Sequence, residues 1–350
     1  MIERLKEMMT SYIGIDLGTA STLVYLKGEG IVIVEPSIVA VNQKTGQVVA
    51  VGTDASYMVG RTPSHIQAVK PLENGVISNF EIAEEMLAYF LRKAVSNQTK
   101  KILRPKVVIG VPSGITNVER RAVRDAVKNA GASEVHIIEE PMAAALGIRL
   151  PVYDPVGTMI IDIGGGTTDI AIISLGGVVI AKNLHIAGGK LNYDIINYIR
   201  DEFKILLGEI TTEEVKLKIA SLFKDEEPLQ ATIRGRDLIS GLPREVIITD
   251  ADIREAIGDS VIQLVEAIKE VLEQAPPEVV SDIMHRGIVL VGGGAKLPGL
   301  RELLEAEIKI PIHLAEEPET AVVRGTGVVL ENINDYRDLL IDNEDELPPR

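Results

Sequence analysis

One internal repeat constrains the fold of this chain more than any other feature of its sequence. Residues 12–26 read YIGIDLGTASTLVYL: an apolar strand that ends in Asp16, a Gly/Thr turn and a second apolar strand. Residues 158–175 read TMIIDIGGGTTDIAIISL and repeat this order around Asp162. The two aspartates lie 146 positions apart, which is the length of a domain and not the roughly 20–50 residue period of a solenoid. The sequence therefore predicts two similar halves.

Strands and helices alternate in both halves. A chain of 350 residues exceeds what one compact core usually holds, which agrees with two domains. Beyond the hairpins, the predicted elements are a strand at 106–111, a helix at 117–130 closed by Gly131, a strand at 135–139, a short helix from Pro141 to Gly147, a long helix near 250–274, a strand at 287–291 and a last helix near 319–331. This alternation predicts the α/β class.

Composition narrows the possible functions. Lys and Arg number 36 against 51 Asp and Glu, and the net charge of −15 disfavours nucleic acid as a partner. Cysteine is absent, so the chain has no disulfide framework, which fits a reducing compartment such as the cytoplasm. No stretch approaches the ~20 uninterrupted apolar residues of a membrane-spanning helix, and the N-terminus does not read as a secretory signal. The five histidines have no metal-binding spacing, so zinc is not predicted.

The two hairpin turns have the composition of a phosphate-binding site. Backbone N–H groups can approach a polyphosphate only where side chains are absent or small, as at 18–20 and 164–168. Asp16 and Asp162 each end a buried strand, where a carboxylate is costly unless a cation compensates it, and hydrated Mg²⁺ shared with phosphates fits that need. A single Gly/Thr turn usually only closes a hairpin. The inference therefore depends on the pairing of two turns at domain spacing.

A third glycine cluster, VGGGAKLPGL at 291–300, follows an apolar strand and is expected to open a helix through Pro298. Taken alone, it indicates a tight strand-to-helix connection. It lacks the spacing of a dinucleotide-binding fingerprint, and the chain contains no GxxxxGK[ST] loop. Rossmann dehydrogenases and P-loop NTPases are therefore poor matches.

These clusters, with IIEEPMAAALG at 137–147 and ETAVVRGTG at 319–327, resemble the actin and Hsp70 ATPase superfamily. Within it, the segments NGVI, VVIGVPSGIT, VERRAV, DIGGGTTDIA, ISGLPR and HRGIVLVGGGAKLPGL are similar to the MreB family of bacterial actin homologues. The similarity runs from about residue 12 to residue 333. It implies an actin-like α/β fold, with two related α/β domains and four subdomains around a cleft that holds ATP and Mg²⁺.

The resemblance also implies domain boundaries. Domain I spans 1–150, with subdomain IB inserted at about 35–75, and domain II spans 151–340, with subdomain IIB inserted at about 188–250. An acidic tail at 341–350, expected to be disordered, follows them.

Matching the family residue by residue assigns the nucleotide contacts. Thr19, Ala20 and Ser21 match the first phosphate loop, where the family often has Asn in place of Ser21, and both side chains can hydrogen-bond a phosphate. The other matches are Gly164, Gly165, Gly166 and Thr167 in the second phosphate loop, Glu213 and Lys216 at the ribose and base, and Gly292, Gly293, Gly294 and Ala295 beneath the adenosine. Without the family resemblance, Glu213 and Lys216, which lie three residues apart on one helix face, would indicate only an exposed ion pair. Asp16 and Asp162 are expected to hold Mg²⁺ through water.

Hydrolysis of ATP needs a group that orients or deprotonates water, and Glu139 and Glu140 are the candidates. Glu140 immediately precedes Pro141 and matches the family's catalytic glutamate, so we expect Glu140 to act on water, with the Thr167 hydroxyl as a second water contact. The alternative is a carboxylate that only caps the start of a helix. The resemblance implies a slow ATPase whose hydrolysis is coupled to polymer dynamics.

Two apolar segments are candidate membrane contacts. On a helical wheel, one arc of the N-terminal nonamer carries Met1, Ile2, Leu5, Met8 and Met9. The alternative is a terminal turn docked on the protein itself. In KKILRPK at 100–106, Ile102 and Leu103 stand between cationic residues, at the position of the family's membrane-insertion loop. These cations suit anionic headgroups, although the net charge of −15 opposes adsorption.

The leading hypothesis is therefore an ATP-dependent cytoskeletal filament protein on the inner face of the cytoplasmic membrane, which organises cell shape and cell-wall synthesis. The resemblance implies self-association into polar or antiparallel double protofilaments, and contacts with RodZ-like and wall-synthesis proteins. One alternative is a soluble ATPase or kinase of the same superfamily that forms no filaments, although the short tail after the last helix leaves no peptide-binding domain. Another is a passive structural protein that binds nucleotide without hydrolysing it.

Overall fold

The computed structural model describes residues 9–96, 103–223 and 227–341. Within these ranges, two five-stranded sheets have the same connectivity. In each sheet, three consecutive strands pair antiparallel, and two strands from later in the chain then pair parallel on the other side of the first strand. In spatial order, the first sheet consists of β10 (Glu134–Glu139), β9 (Leu103–Val111), β1 (Thr10–Leu17), β2 (Ser21–Leu26) and β3 (Gly30–Pro36). The second sheet consists of β13 (Gly177–Leu184), β12 (Thr168–Ser174), β11 (Thr158–Ile163), β17 (Ile288–Val291) and β18 (Ile312–Leu314). The repeat predicted from the sequence is thus present in the topology.

Smaller sheets accompany each half in the described ranges. In the first half, β4 (Val39–Asn42) lies between β5 (Val48–Val51) and β6 (Ile66–Val69), and β7 (Leu72–Glu73) pairs with β8 (Val76–Ile77). In the second half, β15 (Gln230–Asp237) lies between β14 (Ile205–Leu206) and β16 (Pro243–Thr249).

Helices cover the faces of the sheets. The α-helices are α1 (Thr53–Ser56), α2 (Phe80–Val95), α3 (Asn117–Asn129), α4 (Glu140–Gly147), α5 (Gly188–Phe203), α6 (Glu209–Ile219), α7 (Asp250–Gln274), α8 (Pro277–Arg286), α9 (Leu300–Ile308) and α10 (Ala321–Glu331). Capping boxes fix the starts of two of them, with Thr116 and Glu119 on α3 and Thr249 and Asp252 on α7.

The predicted strands and helices are confirmed, each end within three residues. One detail was wrong: the helix after VGGGAKLPGL does not open through Pro298. Gly293–Lys296 forms a 3-10 turn, and Gly299 adopts a left-handed conformation with φ 82°, so α9 begins only at Leu300.

The two halves join through a shared core. Helices α4 and α10 cross there, packed against buried residues of both sheets such as Val108 and Ile160. A Cβ on Gly325 would lie 1.7 Å from the Ala143 carbonyl oxygen, so only glycine permits this close backbone approach. Because Glu140 begins α4, the same junction fixes the position of the candidate catalytic carboxylate.

Candidate nucleotide site

A cleft of about 1140 Å³ lies between the two halves and is lined by the turns of both hairpins. The residues predicted to bind phosphate, sugar, metal and water converge on its wall, although the sequence separates them by up to 278 positions. The predicted residues on the lining are Asp16, Thr19, Ala20, Ser21, Glu140, Asp162, Gly164, Gly165, Gly166, Thr167, Glu213, Lys216, Gly292, Gly293 and Gly294. Ala295 is buried and lies off the lining.

The two Gly/Thr turns face each other in direct contact. A Cβ on Gly165 would lie 2.4 Å from the Ala20 Cβ, and a Cβ on Gly166 would lie 2.3 Å from the Thr19 Oγ1. Side chains at these glycines would force the turns apart. Their absence lets the two turns act as one surface of backbone groups, which is the requirement for enclosing a polyphosphate.

Hydrogen bonds hold each turn in place. Ser37 donates from its backbone N to the Ala20 carbonyl at 3.0 Å and from its Oγ to the Gly18 carbonyl at 2.6 Å. In the second turn, Gly188 and Gly189 at the start of α5 donate their N–H groups to the Gly164 and Gly165 carbonyls, at 3.2 and 2.8 Å. Both turns are therefore fixed before any ligand binds.

The floor of the cleft concentrates carboxyl groups. Burial raises the pKa of Asp16 to about 7. Burial also raises the pKa of Asp162 well above its ordinary value, and the neighbouring Asp16 and Asp169 raise it further. Such crowding of carboxyl groups is the electrostatic environment that a cation relieves. Among the described residues, no three His, Asp or Glu side chains converge closely enough to chelate a metal directly. This chemistry fits a cation held through water and ligand oxygens.

Glu140 lies at the same floor, as the first residue of α4. Burial, followed by Asp169, Asp16 and Asp162, raises its pKa well above the ordinary value. Glu139 occupies the N-cap position of α4, and no side chain caps this helix, so the alternative of a purely capping glutamate has no hydrogen bond to support it. Thr167 is buried and also lines the cleft.

Glu213 and Lys216 form an ion pair on α6. Lys216 Nζ donates to Glu213 Oε2 at 2.7 Å and to the Gly188 carbonyl at 3.1 Å. The Lys216 side chain is only 11% exposed and that of Glu213 is 42% exposed, so the lysine end of the pair is more buried than the spacing alone suggested. It links the wall of the cleft to the start of α5.

The third glycine cluster also lines the cleft. Gly292 has φ 83°, and a Cβ there would lie 2.4 Å from Asp162 Oδ1, so this loop packs directly on the second hairpin. At its edge, Lys296 donates to Glu319 Oε1 at 2.7 Å, and both residues line the cleft.

Asp169 belongs to this site but was missed from the sequence. It pairs with Asp162 across the β11–β12 hairpin and is 1% exposed on the cleft lining. Its Oδ1 accepts from the Ser113 N–H and its Oδ2 from Asn183 Nδ2, both at 2.9 Å, and burial raises its pKa to about 6. The available signal was its place in the hairpin, seven residues after Asp162, where the register brings the two strands together.

The candidate membrane residues lie mostly outside the described ranges, which include neither Ile102 nor Met1, Ile2, Leu5 and Met8. Leu103 begins β9 and is 42% exposed, while Met9 is half-buried. No helix in the described part of the chain is long and apolar enough to span a bilayer.

Comparison with known proteins gives consistent matches over nearly the whole chain. The model of the MreB/Mbl protein family matches residues 10–338. The cell shape-determining protein Mbl of Bacillus subtilis (strain 168) is 46% identical over 327 residues, which cover 93% of this chain and 98% of that protein. The cell shape-determining protein MreB of Escherichia coli (strain K12) is 46% identical over 338 residues, which cover 95% of this chain and 97% of that protein.

Solved structures agree with these matches. MreB5 of Spiroplasma citri bound to ADP superposes with a TM-score of 0.87 at 38% identity, over 94% of this chain and 98% of that chain. A subunit of the MamK double helical filament superposes with a TM-score of 0.78 at 22% identity, over 92% of this chain and 99% of that chain. At this identity the match supports the fold alone. The expected actin-like α/β fold is confirmed. The chain belongs to the MreB/Mbl family.

Proposed function

We propose that this protein is an ATP-dependent, membrane-associated cytoskeletal filament protein that organises cell shape and cell-wall synthesis. The observation that carries the proposal is the cleft, in which two glycine turns from separate halves meet above a floor of buried carboxyl groups. The relatives named cell shape-determining proteins and the MreB5 structures bound to ADP and AMPPNP support it. We retain the implied division into domains at 1–150 and 151–340, with insertions at about 35–75 and 188–250, as part of the proposal.

In this proposal the two turns donate backbone N–H groups to the phosphates of ATP, and Asp16 and Asp162 hold Mg²⁺ through water. The ion, when bound, neutralises phosphate charge. Glu140 orients the attacking water and accepts its proton, and Thr167 holds the same water through its hydroxyl. Burial and the neighbouring carboxyl groups raise the pKa of Glu140, which makes its carboxylate a stronger base toward water than an ordinary glutamate. The phosphorus–oxygen bond to ADP breaks as water adds, and phosphate leaves.

Replacing Glu140 with Ala tests the hydrolytic role. We expect phosphate release to slow by about a hundredfold or more, with ATP affinity retained, because the group acts on water and not on the bound nucleotide. Phosphate release and calorimetric ATP binding measure the two effects. Glu273→Ala, at an exposed site on α7, is the matched control. Hydrolysis by Glu140→Ala at the wild-type rate would assign Glu140 only to the start of the helix.

Membrane association is supported by the register of the first sheet. Thr10 and Leu103 are partners at the starts of the parallel strands β1 and β9. The described strands that follow the two candidate anchors, residues 1–9 and the segment around Ile102 and Leu103, therefore start side by side at one end of this sheet. Full burial of a large aliphatic side chain contributes roughly 1.5–3 kcal/mol, and less at an interface. One anchor is therefore marginal for a single subunit, whereas a filament multiplies weak attachments.

Electron microscopy of the purified protein on liposomes, with ATP and with ADP, tests filaments and attachment together. We expect Ile102→Ser with Leu103→Ser, in a chain lacking residues 1–9, to lose co-sedimentation with liposomes and to keep ATP-dependent polymerisation. Either change alone should weaken binding only partly. Liposome binding by the combined variant would show that the membrane face lies elsewhere. Polymerisation without any membrane binding by the wild type would favour a filament protein that is not membrane-associated.

We further propose a cytoplasmic location on the inner membrane surface, self-association into polar or antiparallel double protofilaments, and contacts with RodZ-like and wall-synthesis proteins, all on the family resemblance. The second candidate, a soluble ATPase or kinase without filaments, predicts ATP hydrolysis with no polymer in the same micrographs.

A further inference from the structure

The NGVI segment is a sequence motif that the proposed mechanism does not use, and it places a tight turn at the cleft. Asn74 and Gly75 join β7 to β8. Both residues have positive φ, 50° and 76°, as two-residue hairpin turns require. Leu72 anchors this hairpin in the buried core of the first half. The turn is therefore held in place, with Gly75 on the lining of the cleft.

Gly75 contacts the first phosphate turn through a hydrogen bond. Its backbone N–H donates to Thr19 Oγ1 at 2.9 Å. A hydroxyl group accepts such a bond on an oxygen lone pair and keeps its own proton for another acceptor. The part of the chain that the structure describes provides no acceptor for the Thr19 proton. Thr19 is half-buried and lines the cleft, so an oxygen of a bound phosphate can take this place.

Gly75 also contacts the second phosphate turn, which belongs to the other half of the chain. A Cβ on Gly75 would lie 3.2 Å from Thr167 Cγ2 and 2.7 Å from Pro112 Cγ, so the glycine packs closely on the Thr167 side chain. Threonine is branched at Cβ, and a contact that fixes its methyl group also fixes the direction of its hydroxyl. Gly75 accordingly constrains two hydroxyl groups, one on each phosphate turn.

We propose that Gly75 is a positioning residue for ATP hydrolysis, which directs the Thr19 hydroxyl toward a phosphate oxygen and the Thr167 hydroxyl toward the attacking water. This inference rests on the proposed function and adds a residue that acts through two others. Because the two threonines belong to opposite halves, one glycine sets the geometry of both turns. A displacement of about 1 Å at a reacting group can reduce a rate by about a hundredfold.

Replacing Gly75 with Ala tests the proposal. The added Cβ should move the turn away from Thr167 and Pro112, and we expect phosphate release at saturating ATP to slow about tenfold or more. Calorimetric affinity for the non-hydrolysable analogue AMPPNP should fall by no more than about threefold, because Thr19 is one of several phosphate donors. If this variant does not fold, Gly75→Ala with Pro112→Ala removes the closest contact and keeps the one with Thr167. That variant is compared with Pro112→Ala alone.

A double-mutant cycle separates positioning from a general loss of structure. Thr167→Ala removes the hydroxyl and should itself slow phosphate release. If Gly75 acts through Thr167, adding Gly75→Ala to Thr167→Ala should slow release further by no more than about twofold. Fully additive effects would overturn the proposal, because the two residues would then act independently.

Gly28→Ala is the matched control. Gly28 also has a positive φ, 83°, in the turn between β2 and β3, but a Cβ there would meet no atom within 4 Å. This variant carries the same backbone cost, so thermal unfolding should show a loss of stability while the rate of hydrolysis stays at the wild-type value. A wild-type rate in Gly75→Ala, or equal slowing in Gly28→Ala, would overturn the proposal. Absence of ATP hydrolysis by the wild type would instead overturn the proposed function itself, so the two failures are distinguishable.

Discussion

At the residue scale, the carboxyl cluster on the cleft floor is costly for the folded chain. Asp162 is buried, and Asp16 and Glu140 are half-buried. Desolvation raises the pKa of all three carboxyl groups, and neighbouring carboxylates raise those of Glu140 and Asp162 further. An amide of the same shape would avoid the desolvation of a charge. The cluster therefore contributes function at the expense of stability, and a bound cation would compensate it.

Asp16→Asn and Asp162→Asn separate these two effects. Without ligand, we expect each variant to unfold at a temperature equal to or above that of the wild type, because a carboxyl group that is costly to bury has been removed. Affinity for ATP in the presence of Mg²⁺ should fall by about tenfold or more, and affinity in EDTA should change less. Thermal unfolding and calorimetry measure the two quantities.

Asp237→Asn is the contrasting control. Hydrogen bonds from Ser240 and Arg244 lower the pKa of Asp237 to about 2, so its ionised form stabilises the fold. That stabilisation is present above the ordinary pKa of 3.8 and is lost as the pH falls toward 2. Asp237→Asn should lower the unfolding temperature at neutral pH and leave ATP affinity unchanged. The same loss of stability in Asp16→Asn and Asp162→Asn would show that those carboxylates are structural.

At the element scale, the hairpins and the long helices were predictable because their signals are local. The β11–β12 hairpin shows an apolar run, an aspartate and a glycine turn, and α7 shows both a capping box and helical periodicity. Asp169 was not predictable, because its place in the site depends on Ser113, a partner 56 residues away. The crossing of α4 and α10 was likewise not predictable from the sequence, because small residues in a helix are compatible with many environments.

The crossing makes a testable prediction about two helical glycines. Gly325→Ala would place a Cβ 1.7 Å from the Ala143 carbonyl, so the helices have to separate, and we expect a loss of about 1–3 kcal/mol in unfolding free energy. Gly258→Ala, inside α7, meets no atom within 4 Å and should stabilise the protein by roughly 0.5–1 kcal/mol through helix propensity. Urea denaturation measures both. A gain in unfolding free energy in Gly325→Ala, as in Gly258→Ala, would show that the two helices are not tightly constrained at their crossing.

At the scale of the whole molecule, the cleft is also bridged at its rim. Lys70, which follows β6, pairs with Glu209, the first residue of α6, and both line the cleft. The two residues belong to opposite halves of the chain, 139 positions apart. Both side chains are more than 40% exposed, so the pair contributes at most about 1 kcal/mol to stability. Because it spans the opening, its effect should be on the rate at which a bound nucleotide leaves.

Charge reversal tests this rim contact. Lys70→Glu places two glutamates opposite each other, and we expect release of a fluorescent ATP analogue, followed by stopped flow, to quicken by up to about fivefold. Lys70→Glu combined with Glu209→Lys should restore the wild-type rate, and high salt should reduce the difference because it screens exposed charges. Lys182→Glu breaks a partly exposed pair with Glu270 away from the cleft and is the matched control. A double variant that releases the analogue as fast as Lys70→Glu would show that the two charges do not restrain opening, and the rate of release would then depend on the turns inside the cleft.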